Sequence, residues 1–189
     1  MAAAIKRFSH FGIKKTTMAE IAEDVGLSKA NLYYYFSDKV VLVASIIDFL
    51  FDESERLFTS RSSAESRTLA KLKLLVRLRY EMYERYQMLV VSLTEYHGLN
   101  AIDGTVFERL VAREISFIAR VFEEGIESGE LVTFDTQQTS ELYVAGQYGI
   151  SMFHKVRCAR PFMDKAIMEN ISRKQELLAE RLVNGILRK

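Results

Sequence analysis

Apolar residues recur at helical spacing through almost the whole chain. Ile5, Phe8 and Phe11 give a first apolar face that ends at Gly12. Met18, Ile21, Ala22 and Val25 fall at i, i+3, i+4 and i+7, one stripe of a short helix. Thr17 and Glu20 stand where a capping box needs them, the hydroxyl accepting an orphan N–H and the carboxylate reaching back. Gly26 stops this helix, because glycine reaches the left-handed conformation without a steric penalty. Leu27 fills the elbow, and Ser28 caps a second short helix from Lys29 to about Tyr35, held inward by Leu32 and Phe36. Ser37 or Asp38 caps the next.

That next helix runs from Lys39 to about Phe58, with Leu42, Val43, Ile46, Ile47, Leu50, Leu57 and Phe58 as a broad buried face. At ~1.5 Å per residue it is roughly 30 Å long. The serine-rich stretch Arg61 to Arg67 reads as a loop. Ala64 to about Tyr86 and Gln87 to His97 follow as helices, Gly98 to Gly104 breaks the pattern, and Val106 to Ser128 resumes it until Gly129. Glu130 to Phe134 is a short extended link, and Asp135 with Gln138 marks another capped start. The last two helices, Thr136 to Arg157 and Met163 to Leu187, flank Pro161, the one proline of the chain. The pattern predicts an all-α chain: a three-helix, helix–turn–helix unit over residues 1–48 and a helical domain over 49–189.

The second short helix leaves Lys29, Ala30, Asn31, Tyr33, Tyr34 and Tyr35 off its narrow inner face. At about 100° per residue, three consecutive tyrosines cannot all turn inward. Lysine, asparagine and tyrosine are side chains that bond phosphates and base edges. Lys29 suits guanine and Asn31 adenine. Thr17 and Ser28 stand at helix N-termini, where free N–H groups suit a phosphate, and Thr16 adds a hydroxyl. On pattern alone, a helical hairpin with a half-exposed aromatic surface is the alternative.

Composition narrows the partners. Net charge is +1; the first fifty residues carry six basic against five acidic groups, and the remainder balances at twenty of each sign. Attraction to DNA must come from local placement rather than bulk charge. One cysteine, Cys158, excludes an intrachain disulfide and fits a reducing cytoplasm. The start carries no secretory pattern, and no apolar run is long enough to span a membrane. His10, His97 and His154 are isolated, with no metal-ligand spacing, and Glu95 and His97, two apart, fall on different faces of a helix. Cys158 lies near Arg157 and Arg160, but no nucleophile–base constellation accompanies it. No enzyme, metal site or cofactor is expected.

The stretch Ala3-Ala4, Phe8, Phe11-Gly12, Thr16-Thr17, Ile21-Ala22, Gly26-Leu27-Ser28, Leu32-Tyr33-Tyr34-Tyr35-Phe36 and Lys39 resembles the DNA-binding domain of the tetracycline-repressor (TetR) family of bacterial transcription regulators. Many positions agree at fixed spacing over the first quarter of the chain. Val25, Ala30 and Val40 depart from the residues common there, and Ala30 adds a methyl on the DNA-facing side. The family usually carries further residues, often basic, ahead of the paired alanines.

The resemblance implies an N-terminal helix–turn–helix domain joined by the long helix to a helical ligand-binding and dimerisation domain. It implies phosphate contacts from Lys39 and from Tyr33 or Tyr34; Tyr35 contacts phosphate or stays structural. The last two helices would pair with a second subunit through Ala145, Gly146, Gly149, Ile167, Ile171, Leu178 and Leu182, since one small module reads two half-sites only as a dimer. Tyr96, His97, Phe107, Tyr148 and Met152 are the candidate pocket for an apolar or aromatic small molecule. The expected function is a cytoplasmic repressor that binds a palindromic double-stranded operator as a homodimer and is released by that effector. The alternative is a helical interaction protein of the same fold without operator binding.

Overall fold

The computed structural model describes residues 1–95, 104–157 and 163–188. Among these, eight helices follow in order: α1 (Ala2–Phe11), α2 (Met18–Asp24), α3 (Lys29–Tyr35), α4 (Lys39–Ser62), α5 (Thr68–Glu95), α6 (Gly104–Glu127), α7 (Thr136–Arg157) and α8 (Lys165–Ile186). The all-α expectation holds. The extended link reduces to one antiparallel bridge between Leu131 and Leu187.

The chain divides into two compact units, and neither is continuous in sequence. The first comprises Met1–Ser54 and Met82–Glu108. Its core gathers Ala4 and Phe8 of α1, Ile13, Met18, Ile21 and Ala22 around α2, Leu32 of α3, Leu42, Val43 and Ile46 of α4, and Leu89 of α5. The second comprises Glu55–Glu81 and Arg109–Lys189, with Phe58, Leu72, Leu78, Ile118, Phe122, Tyr143, Ala179 and Val183 among its buried residues. The α4 and α5 helices each contribute to both units.

Several helix ends lie where the side-chain chemistry puts them. The α2 capping box is formed: Glu20 N donates to Thr17 Oγ1 at 3.3 Å, and Thr17 N donates to Glu20 Oε2 at 2.7 Å. Gly26, at φ +67, completes a Schellman turn in which Leu27 N bonds Ala22 O and Gly26 N bonds Glu23 O. Asp38 caps α4 through Val41 N at 2.9 Å, and Asp135 and Asp164 cap α7 and α8 through Gln138 N and Ile167 N. The break expected after Tyr86 is a kink inside α5, where Tyr86 has φ −114 and ψ 20.

Other ends are set by partners distant in sequence. The α4 helix continues to Ser62, past its expected end, and Arg61 pairs there with Glu81 of α5. The α5 helix starts late, at Thr68, whose N–H and hydroxyl both donate to the Glu130 carboxylate at 2.8 and 2.7 Å. At Gly125 a Cβ would stand 2.8 Å from Leu131 Cδ1, so the close approach of this link to α6 requires glycine.

Candidate nucleic-acid interface

The three tyrosines all turn outward. Leu32 is the buried residue of α3; Tyr34 is 86% exposed, Tyr35 68% exposed, and Tyr33 less so. Lys29, Ala30 and Asn31 are exposed as well. The Lys29 ammonium lies 5.7 Å from the Tyr33 ring centroid, and Tyr34 and Tyr35 meet edge to face. Ser28 Oγ accepts from Asn31 N at 3.1 Å, so the cap anchors the start of α3. The result is one short helix whose polar and aromatic side chains all face outward, held from below by Leu32.

The supporting loop is built with more polar contacts than its sequence suggests. Thr16 is 1% exposed, and its hydroxyl donates to Gly12 O at 2.8 Å. It braces the loop from within instead of presenting a hydroxyl to the surface. Ser92 of α5 accepts from Ile13 N at 2.6 Å. Lys39 Nζ donates to Ile13 O at 2.8 Å, Thr16 O at 3.0 Å and Lys14 O at 3.4 Å, and desolvation holds its pKa below the ordinary lysine value. Ser92 has no local pattern that marks it.

Charge is sorted locally. Arg7 of α1 pairs with Asp24 and lies 3.4 Å from Glu20. One of these two negative charges is thereby offset, while Lys14 and Lys15 of the loop before α2 and Lys29 of α3 remain exposed. The Glu20 pKa is lowered by bonds from the Thr17 N–H and hydroxyl, and the Asp24 pKa by its hydrogen bond from Arg7. Both folded-state values lie below the unfolded ones. Their stabilisation is therefore complete above the ordinary carboxylate range and is lost as pH falls through the folded values. Hydrogen exchange at the Thr17 and Glu20 amides, corrected for its intrinsic pH dependence, is expected to accelerate below pH ~4, and Glu20→Gln to flatten that dependence.

The remaining predicted sites lie in the C-terminal half. Tyr96 and His97 lie outside the described residues, as does the side chain of Phe107. Tyr148 and Met152 sit on α7 four residues apart, both partly open to solvent, and Tyr148 Oη donates to Glu114 Oε2 at 2.9 Å.

Of the residues expected at a subunit interface, Ala145 and Gly149 are exposed. Gly146 serves α7–α8 packing within the chain, since a Cβ there would stand 2.7 Å from Leu178 Cδ2. Ile171 is buried, Leu178 and Leu182 pack on the second core, and Ile167 is half-buried. Gln147 and Gln175 cross-bond α7 and α8 through each other's carbonyls at 3.2 and 3.0 Å. The exposed stripe is instead Leu142, Ala145, Gly149, Met152 and Val156, with Phe153 beside it and Leu177 exposed on α8. Among the described residues, no group of three or more His, Cys, Asp or Glu could hold a metal ion, and no helix is long and apolar enough to cross a membrane.

This arrangement has known counterparts. Residues 1–46 match the bacterial regulatory proteins of the tetR family. The HTH-type transcriptional regulator RutR of Escherichia coli K12 is 40% identical over 52 residues, 28% of this chain and 24% of RutR, so the match spans about a quarter of that relative. The uncharacterized HTH-type transcriptional regulator YhgD of Bacillus subtilis is 28% identical over 157 residues, covering 76% of this chain and 78% of YhgD. The crystal structure of a transcriptional regulator from Cytophaga hutchinsonii superposes with a TM-score of 0.78 at 28% identity, covering 99% of this chain and 96% of that one. The first 46 residues thus match the tetR family of bacterial regulatory proteins, and the chain is similar in fold along nearly its whole length to that solved transcriptional regulator.

Proposed function

We propose that the protein is a sequence-specific DNA-binding repressor that engages an inverted-repeat operator as a homodimer and is released by a small, largely apolar effector. The observation that carries this reading is α3. A seven-residue helix has every side chain but Leu32 on the exposed side, and these include a lysine, an asparagine and three tyrosines. Apart from the Lys29–Tyr33 and Tyr34–Tyr35 contacts, such side chains contribute little to stability by facing solvent, but they match phosphates and base edges in a major groove. Lys29 and Asn31 read bases, Tyr33 and Tyr34 reach phosphates, and Thr17 and Ser28 hold the two helices at the angle that places them. Tyr35, exposed beside Tyr34, joins the phosphate contacts.

Homodimerisation is supported by the apolar stripe of α7, which is exposed among the described residues. Reading both halves of a palindrome requires such a twofold pair. Effector release is carried by α4, an unbroken helix with residues in both units. An effector acts through its differential affinity for two states, with a coupling of ~1–3 kcal/mol typical. The cytoplasm is the compartment in which such a protein meets DNA.

The test is titration of purified protein against duplex fragments flanking its own coding region, across a salt series. Steeply salt-dependent binding to a palindromic site is expected, with Asn31→Ala losing about tenfold in affinity and relaxing the preference at one base pair per half-site. Weak binding that ignores sequence would favour the same fold acting as a protein-interaction module, a reading that the near-neutral net charge also admits.

A further inference from the structure

The six basic residues among the first fifty are not equally available to a nucleic acid. Arg7 is committed to Asp24 and Glu20. Lys39 turns its ammonium to three carbonyls of the loop between α1 and α2. Lys6 lies close enough to Asp24 to help lower the pKa of that carboxyl. Lys14, Lys15 and Lys29 remain, all exposed. Lys29 belongs to α3. Lys14 and Lys15 lie outside it, and neither pairs with a carboxylate among the described residues.

The loop that carries these two lysines is held nearly group by group. Gly12 N donates to Phe8 O at 3.1 Å, and Gly12 O accepts from the amide and the hydroxyl of Thr16 at 3.2 and 2.8 Å. Ile13 N donates to Ser92 Oγ at 2.6 Å, and the carbonyls of Ile13, Lys14 and Thr16 accept from Lys39. Ile13 and Thr16 are each 1% exposed, so the residues flanking the two lysines are sunk in the core while the lysines face solvent. A backbone fixed on both sides reduces the ordering that its side chains must undergo when they meet a partner.

The loop also has a defined place. Lys39 stands four residues after Tyr35, so one lysine side chain reaches from just beyond the end of α3 to this loop. The loop leads directly into α2, and the first helix of a helix–turn–helix crosses the nucleic-acid backbone while the second enters the groove. Two adjacent ammonium groups repel one another on a rigid backbone, and an anionic strand relieves both.

We infer that Lys14 and Lys15 form a phosphate clamp of the reading unit, separate from α3, and that Ser92 of α5 is a positioning residue for it, holding Ile13 so that both lysines are presented together. This rests on the DNA reading proposed above. The α3 helix supplies contacts to bases, and the loop supplies charge that is blind to sequence. A chain of near-neutral composition then attracts DNA through a few cations that are unpaired and fixed in place.

The experiment follows binding of the full chain to two labelled duplexes of equal length across a salt series. One comes from the region flanking the coding sequence, and the other has a random sequence. Each phosphate contact contributes ~0.9 to the slope of log affinity against log salt. Lys14→Gln with Lys15→Gln should therefore flatten the slope by about 1.8 for each bound reading unit, on both duplexes alike. The ratio of the two affinities should stay within about twofold, because phosphate contacts carry no base preference. Thermal unfolding of this variant should match the wild type, since both side chains are exposed. Ser92→Ala should lower affinity about fivefold or more, and the lysine substitutions should cost less in its background than in the wild type. A slope unchanged by the lysine substitutions overturns the clamp and leaves the DNA reading standing. Equal costs with and without Ser92 overturn its positioning role. Wild-type protein that binds neither duplex in a salt-dependent way overturns both the clamp and the DNA reading.

Discussion

Replacing Phe122 by alanine is expected to lower the free energy of unfolding by about 3–5 kcal/mol. Phe122 is 0% exposed, and its ring meets Phe134 and Tyr143 edge to face at centroid distances of 5.6 and 6.4 Å. Those three residues lie on α6, on the link after it and on α7, so the ring joins three successive parts of the chain. Truncation removes the transfer free energy of the ring and leaves a cavity that three anchored backbones cannot close. A domain holds only about 5–15 kcal/mol in total, so the loss is a large fraction. Urea titration followed by far-ultraviolet circular dichroism measures it, with Phe122→Leu as a comparison expected to lose less. A loss under ~1 kcal/mol would mean that the core repacks around the gap.

What could be read from the sequence, and what could not, divides by distance along the chain. The Thr17–Glu20 box, the turn at Gly26, the cap at Asp135 and the break after Tyr86 each depend on residues within about one turn of one another, and each stands where the pattern put it. That at least one tyrosine turns outward was legible for the same reason, since three in a row exceed what one inner face can hold; that all three do so was not. Thr16 was legible in principle: a threonine hydroxyl can bond back to the carbonyl four residues earlier, as it does to Gly12.

Contacts that join distant stretches left no comparable mark. Ser92 reaches Ile13 across 79 positions, and Glu130 fixes the start of α5 across 62. Arg79 and Glu114 are ordinary charged residues on two amphipathic helices until folding brings them together. The α7 surface shows the same limit. Small residues at 145, 146 and 149 suggested a single close-packed face, but Gly146 turns toward Leu178 in the same chain while Ala145 and Gly149 turn away from it. Helical spacing identifies a face without saying whether its partner is internal.

Lys39→Met is expected to weaken operator binding by about 2–3 kcal/mol while leaving the salt dependence of binding unchanged. Family resemblance makes this lysine a phosphate contact. The structure turns its ammonium to the carbonyls of Ile13, Thr16 and Lys14, one acceptor for each of its three N–H donors. These carbonyls belong to the loop that ends at Thr17, the cap of α2. Lys39 is the first residue of α4, so one side chain ties the long helix to the start of the helix–turn–helix. Methionine keeps the stem and removes the donors, leaving three carbonyls without their charged partner and the loop free to shift. Hydrogen exchange at Ile13 and Thr16 should accelerate in the variant while the cores stay protected. Salt dependence then separates the two roles. A phosphate contact contributes ~0.9 to the slope of log affinity against log salt, and a positioning residue contributes nothing. An unchanged slope with reduced affinity assigns Lys39 to placing α2. A slope lowered by about one would show that the ammonium leaves the loop for a phosphate when DNA binds.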